Sequence, residues 1–117
     1  MLAVNSLLKD KRYNSNIEVA LYRIVTELIN NSRKHADAKS IIVNLDACKD
    51  FVIVKFFDDG VGFNLNKMNE LNAGHGLVNI KNRIKTLNGE FEIRSNENEG
   101  VNIEVKVPVL QKWSYYK

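Results

Sequence analysis

The chain has 117 residues, 44% hydrophobic and 26% charged, which suits one soluble domain able to bury a core. Seventeen Lys and Arg against fourteen Asp and Glu leave +3, scattered along the chain, which argues only weakly for nucleic acid and equally well serves a small polyanion. One cysteine, Cys48, excludes an intrachain disulfide, and no apolar run reaches the ~20 residues of a membrane helix.

The opening "MLAVNSLLKDK" is too short and polar for a signal peptide, so the chain is expected in the cytosol, alone or as the cytosolic piece of something larger. Residues 2–8, "LAVNSLL", read as a first strand, followed by a charged turn. Ser15 with Glu18 three residues on gives a capping-box pattern. It opens a helix expected to run to His35 or Ala36, with Ile17, Ala20, Leu21, Ile24, Val25, Leu28 and Ile29 at helical spacing. "SIIVNLDA" and "FVIVKFFD" read as two strands joined by "CKD", a hairpin that leaves Cys48 as a partly buried thiol in or beside a strand. A polar stretch over 64–76 reads as a mobile loop with at most one helical turn. Leu77, Ile80, Ile84 and Leu87 then mark a second helix ended by Asn88-Gly89. "EFEIRSN", an "ENEG" turn and "VNIEVKV" give a terminal hairpin closed by Pro108. The domain is expected over 1–110, with a tail over 111–117. The order β-α-β-β-α-β-β predicts an α+β fold: a two-layer sandwich, helices on one face of a mixed, largely antiparallel sheet.

Three stretches combine chemistry with position. At about 100° per residue, Asn31 falls inside the apolar stripe of the first helix, and Glu27, Lys34 and His35 share its edge. A buried amide needs a partner, so Asn31 either caps a neighbouring strand end or faces a ligand. The four residues together favour the ligand: a carboxylate, an amide oxygen, an ammonium and an imidazole suit a metal-bound phosphate chain. "DDGVGF" sets Asp58, Gly60 and Gly62 after a strand; this is either a common turn or a place where a flat base meets backbone and a carboxylate accepts from its amine. "GHGLVNI" sets Gly74 and Gly76 before a helix, as a hinge or as an anion cradle at a helix N-terminus.

Taken in order, these stretches resemble the ATP-binding domain shared by gyrase, Hsp90, sensor histidine kinases and MutL, the Bergerat fold. "ELINNSRKHA" is similar to that family's N box, and "DDGVGF" and "GHGLVNIKNRI" to its two glycine boxes, over residues 17–108. "LYRIVTELINNSRKHADA" and "GLVNIKNRIKTLNGEFEIRS" look most like the catalytic domain of a bacterial two-component sensor kinase with a short ATP lid. The resemblance implies that Asn31 coordinates Mg2+ of bound ATP, with Glu27 supporting the metal or a water. It implies that Lys34 and His35 contact phosphates and that Asp58 takes the adenine amino group, with Gly60 and Gly62 letting the base approach. Gly74, Gly76 and the amides of Leu77 and Val78 would cradle phosphates beneath a lid over about 64–73.

Two departures stand out. Where the family has Thr after its last glycine, Gly100 is followed by Val101. Neither His35 nor His75 suits a phospho-acceptor, since each lies in a nucleotide box. The resemblance therefore implies a histidine acceptor on a separate dimerisation domain, and a response regulator beyond it, with no direct nucleic-acid contact. A membrane anchor, if any, belongs to the parent protein. A serine kinase of the anti-sigma-factor type and a nucleotide-binding module without catalysis are the alternatives.

Overall fold

The structure, a computed structural model, describes residues 2–6, 13, 15–35, 38–48, 50–61, 77–95 and 99–109. Five strands form one sheet in the order β1-β2-β3-β5-β4: β1 (Leu2–Ser6), β2 (Ile41–Cys48), β3 (Phe51–Asp58), β4 (Glu90–Ser95) and β5 (Val101–Pro108). β1 runs parallel to β2, and every other pairing is antiparallel, giving the mixed sheet expected. Among the described residues, two helices, α1 (Ser15–His35) and α2 (Leu77–Thr86), make the second layer. Among the described residues, no helix is long and apolar enough to cross a membrane.

The strands alternate as a half-covered sheet must. Val52, Val54 and Phe56 of β3 and Val101, Ile103, Val105 and Val107 of β5 are buried, against Leu21, Ile24 and Leu28 of α1 and Leu77, Ile80 and Ile84 of α2. The intervening positions, among them Asn44, Lys55, Glu92, Arg94, Asn102 and Glu104, face outward and are exposed. The same parity corrects one expectation. Cys48 ends β2 beside the β2–β3 turn at an outward position, and its thiol is exposed rather than partly buried.

Local signals act largely as their chemistry dictates. α1 begins at Ser15, and Glu18 turns back across the helix start to accept the Tyr13 N–H at 3.1 Å. α2 ends in a Schellman turn: Gly89 N–H donates to the Ile84 carbonyl and Asn88 N–H to that of Lys85, both at 2.9 Å. Asn88 takes the left-handed conformation that closes it, with φ of 61°. Beyond Pro108, the Val109 N–H donates to the Asp50 carbonyl at 2.7 Å and ties the end of β5 to the β2–β3 turn.

Candidate functional site

Asp58 ends β3 at the position where alternation turns a side chain inward, continuing the series Val52, Val54, Phe56. Its carboxylate is therefore 2% exposed, beneath the C-terminal part of α1. A buried carboxylate requires donors. One is the Gly60 N–H, 2.9 Å from Oδ1, so the glycine two residues on closes a tight turn back onto the acid. The other is the Ser32 hydroxyl, 2.8 Å from Oδ2.

Leu28, Asn31 and Ser32 of α1, Phe56 and Asp58 of β3, and Val101 and Ile103 of β5 line a small cavity between helix and sheet. Asn31 and Asp58, placed apart in the sequence, thus border one space. The strand backing it is fixed by Gly100, whose φ of +78° is left-handed and where a Cβ would stand 2.3 Å from the Asp58 carbonyl oxygen. Ser95, buried at the end of β4, donates its hydroxyl to the Gly100 carbonyl at 2.8 Å and holds that corner.

The remaining expected site residues separate. Glu27 turns to α2, where its carboxylate is engaged by the Arg83 guanidinium, outside the cavity. Lys34 is exposed near the end of α1. His35 closes α1 and Val78 lies in the first turn of α2, both described through their backbone. Leu77 opens α2 with its side chain buried in the core. Gly62, Gly74, Gly76 and the lid over 64–73 lie outside the described residues.

Two residues escaped the reading of the sequence. Ser32 lies about 40° from Leu28 on the helix wheel, so it sits at the core boundary, where a serine draws no notice without its partner. Asp59 faces outward, and its Oδ1 accepts the N–H groups of Lys39 and Ser40, each at 2.9 Å. Those bonds, Ser40's foremost, hold its carboxyl below the ordinary value and tie the approach to β2 to the end of β3. Among the described residues, no cluster of three or more His, Cys, Asp or Glu side chains could hold a metal. A cation here would depend on Asn31 together with ligand oxygens and water, as Mg2+ commonly does.

Residues 16–111 match the family described as histidine kinase-, DNA gyrase B- and HSP90-like ATPases. The chain is 37% identical over 102 residues to the signal transduction histidine-protein kinase/phosphatase DegS of Bacillus subtilis (strain 168), covering 86% of this chain and 26% of that protein. It is 32% identical over 108 residues to the sensor protein VraS of Staphylococcus aureus (strain COL), covering 92% of this chain and 30% of that protein. It thus spans less than a third of the length of these curated relatives. A histidine kinase domain from the Erythrobacter litoralis EL346 blue-light activated histidine kinase has the same fold, with a TM-score of 0.73 and 20% identity over 97% of this chain and 53% of that one. The family match, spanning the helix with Asn31, the strand end with Asp58 and the closing hairpin, identifies the chain as a member of the histidine kinase-, gyrase B- and HSP90-like ATPases, a nucleotide-binding domain.

Proposed function

We propose that this chain is the ATP- and Mg2+-binding catalytic domain of a sensor histidine kinase, and that it presents the γ-phosphate to a histidine on a separate dimerisation domain, upstream of a response regulator. On this reading the domain works in the cytoplasm, whether or not the parent protein is membrane-anchored. The observation that carries the proposal is Asp58: a carboxylate 2% exposed, held by two donors, and bordering the same cavity as Asn31. Both carboxyl oxygens already act as acceptors here, so the group suits a base that offers an amino group there.

Asn31 would hold Mg2+ through its amide oxygen, which supplies charge neutralisation along the phosphates when bound. Glu27 would support that metal or a water only after exchanging its bond to Arg83. Lys34 and His35 would meet phosphates from the end of α1, and the Leu77 and Val78 amides at the start of α2, with Gly74 and Gly76 before them, would cradle others. Gly60 and Gly62 would let the base approach the backbone. The protein's contribution to transfer is then mostly positioning and electrostatics.

Calorimetric titration of ATP and ADP with and without Mg2+ tests the proposal. Asp58→Ala is expected to weaken ADP and ATP together, whereas Asn31→Ala should mainly remove the Mg2+ dependence. No binding by the unsubstituted chain, or binding indifferent to both substitutions, would sink it.

A further inference from the structure

The position that carries a threonine in the resembled family is Val101 here, and it is the register partner of Asp58 across the β3–β5 ladder. Directly opposed residues on antiparallel strands project from the same face, so Val101 sets an apolar side chain, 2% exposed, beside the carboxylate. The strand therefore offers Asp58 no hydroxyl. The helix does: Ser32, 3% exposed, donates to Oδ2 at 2.8 Å, while the Gly60 N–H occupies Oδ1 at 2.9 Å. Ser32 follows Asn31 directly, and both line the cavity with Asp58 and Val101. That cavity is about 10 Å³, room for roughly one water.

We propose that Ser32 is a positioning residue for base recognition, its hydroxyl fixing the Asp58 carboxylate as an oriented acceptor from the helix side, in place of a hydroxyl at position 101. The proposal rests on the reading that Asp58 receives the adenine amino group. With the Ser32 hydroxyl removed, Oδ2 has no donor among the described residues and the carboxylate is held through Oδ1 alone. A buried acceptor in that state turns toward another donor, which blurs its preference for an amino group over a carbonyl. Because its own hydrogen is committed to Asp58, Ser32 presents only lone pairs to the cavity, so it sharpens the acceptor character of this wall.

Adenosine and inosine diphosphates separate this role from a merely structural one, because they share sugar and phosphates and differ where an amino group is exchanged for a carbonyl. Binding of both is measured calorimetrically to the unsubstituted chain, to Ser32→Ala and to Ser32→Ala combined with Val101→Thr, each checked for folding by circular dichroism. Ser32→Ala is expected to lower the preference for ADP over inosine diphosphate by about tenfold. Val101→Thr, supplying a hydroxyl from the strand, should restore part of it. An unchanged preference in Ser32→Ala, or equal losses for both nucleotides, overturns the role of Ser32 and leaves the nucleotide reading standing. No ADP binding by the unsubstituted chain overturns both. Should Ser32→Ala not fold, Ser32→Cys keeps the volume with a weaker donor, and there an undiminished preference overturns the proposal.

Discussion

Glu27 of α1 and Arg83 of α2 form an ion pair that bridges these helices of the covering layer, Arg83 Nη1 to Glu27 Oε1. The side chains are 35% and 30% exposed, so water and salt still reach the pair. Its net contribution is accordingly small, about 0.5–1 kcal/mol, despite its charge and geometry. A double-mutant cycle of Glu27→Gln and Arg83→Ala, read by urea denaturation, should return a coupling in that range and a smaller one in about 1 M salt. A coupling of zero at low salt would show that the pair adds nothing net to the apolar packing between the helices.

Gly100 is the position where backbone geometry constrains the site most tightly. Its φ of +78° is costly for any residue with a Cβ, and the added atom would meet the Asp58 carbonyl oxygen at 2.3 Å, backbone that cannot swing aside. Gly100→Ala should cost about 2–4 kcal/mol in urea denaturation, combining left-handed strain with the displacement of β3. Gly89→Ala makes a useful comparison. Its nearest contacts are the Lys106 carbonyl at 2.8 Å and the Ile84 Cγ2 at 2.9 Å, without a left-handed φ. It should destabilise less, and the reverse order would contradict the assignment of strain to Gly100.

The same residues show how far the sequence alone reaches. The alternation in "FVIVKFFDD" already separates Asp58, in phase with Val52, Val54 and Phe56, from Asp59, out of phase, and the structure buries one and exposes the other. The helical and strand periods likewise gave the element order and the mixed sheet, because each element is amphipathic over a whole face. Side-chain partners were less legible. The wheel put Glu27 on the edge it shares with Asn31, but a long side chain reaches its partner through χ angles, and Arg83 lies 56 residues away. Ser32 depends on a carboxylate 26 residues off, a pairing that only the packing of α1 over the end of β3 brings about.

Asn88 occupies the left-handed position of the α2 Schellman turn, with φ of 61°. Asparagine tolerates that region better than other residues with a Cβ, and glycine occupies it freely. Asn88→Ala should therefore lower stability by about 1 kcal/mol in thermal or urea denaturation. Asn88→Gly should change it by no more than about 0.5 kcal/mol, since relief of strain is offset by a freer unfolded chain. Equal losses in both variants would mean that the asparagine side chain, rather than its backbone conformation, matters at this turn.

Asp59 gives the fold a defined acid dependence. The Ser40 N–H, then that of Lys39, stabilises its charged form and lowers its pKa below the ordinary value of 3.8. A carboxyl depressed in the folded state binds protons less readily there than in the unfolded chain. Its contribution is thus fully present above the ordinary value, and fades as pH falls through the lower folded one. Because the group is fully solvent-exposed, the effect is a change in acid profile rather than a large stabilisation. Asp59→Asn keeps an oxygen able to accept both N–H groups but cannot titrate. Urea midpoints of the two proteins, compared in steps from neutral pH downward, should differ above 3.8 and converge below it. In parallel, the Asp59 carboxyl resonance should titrate with a midpoint under 3.8 in the native protein. A gap that stays constant through this range, or a midpoint at or above that value, would show that the bonds to Lys39 and Ser40 do not discriminate between the two protonation states.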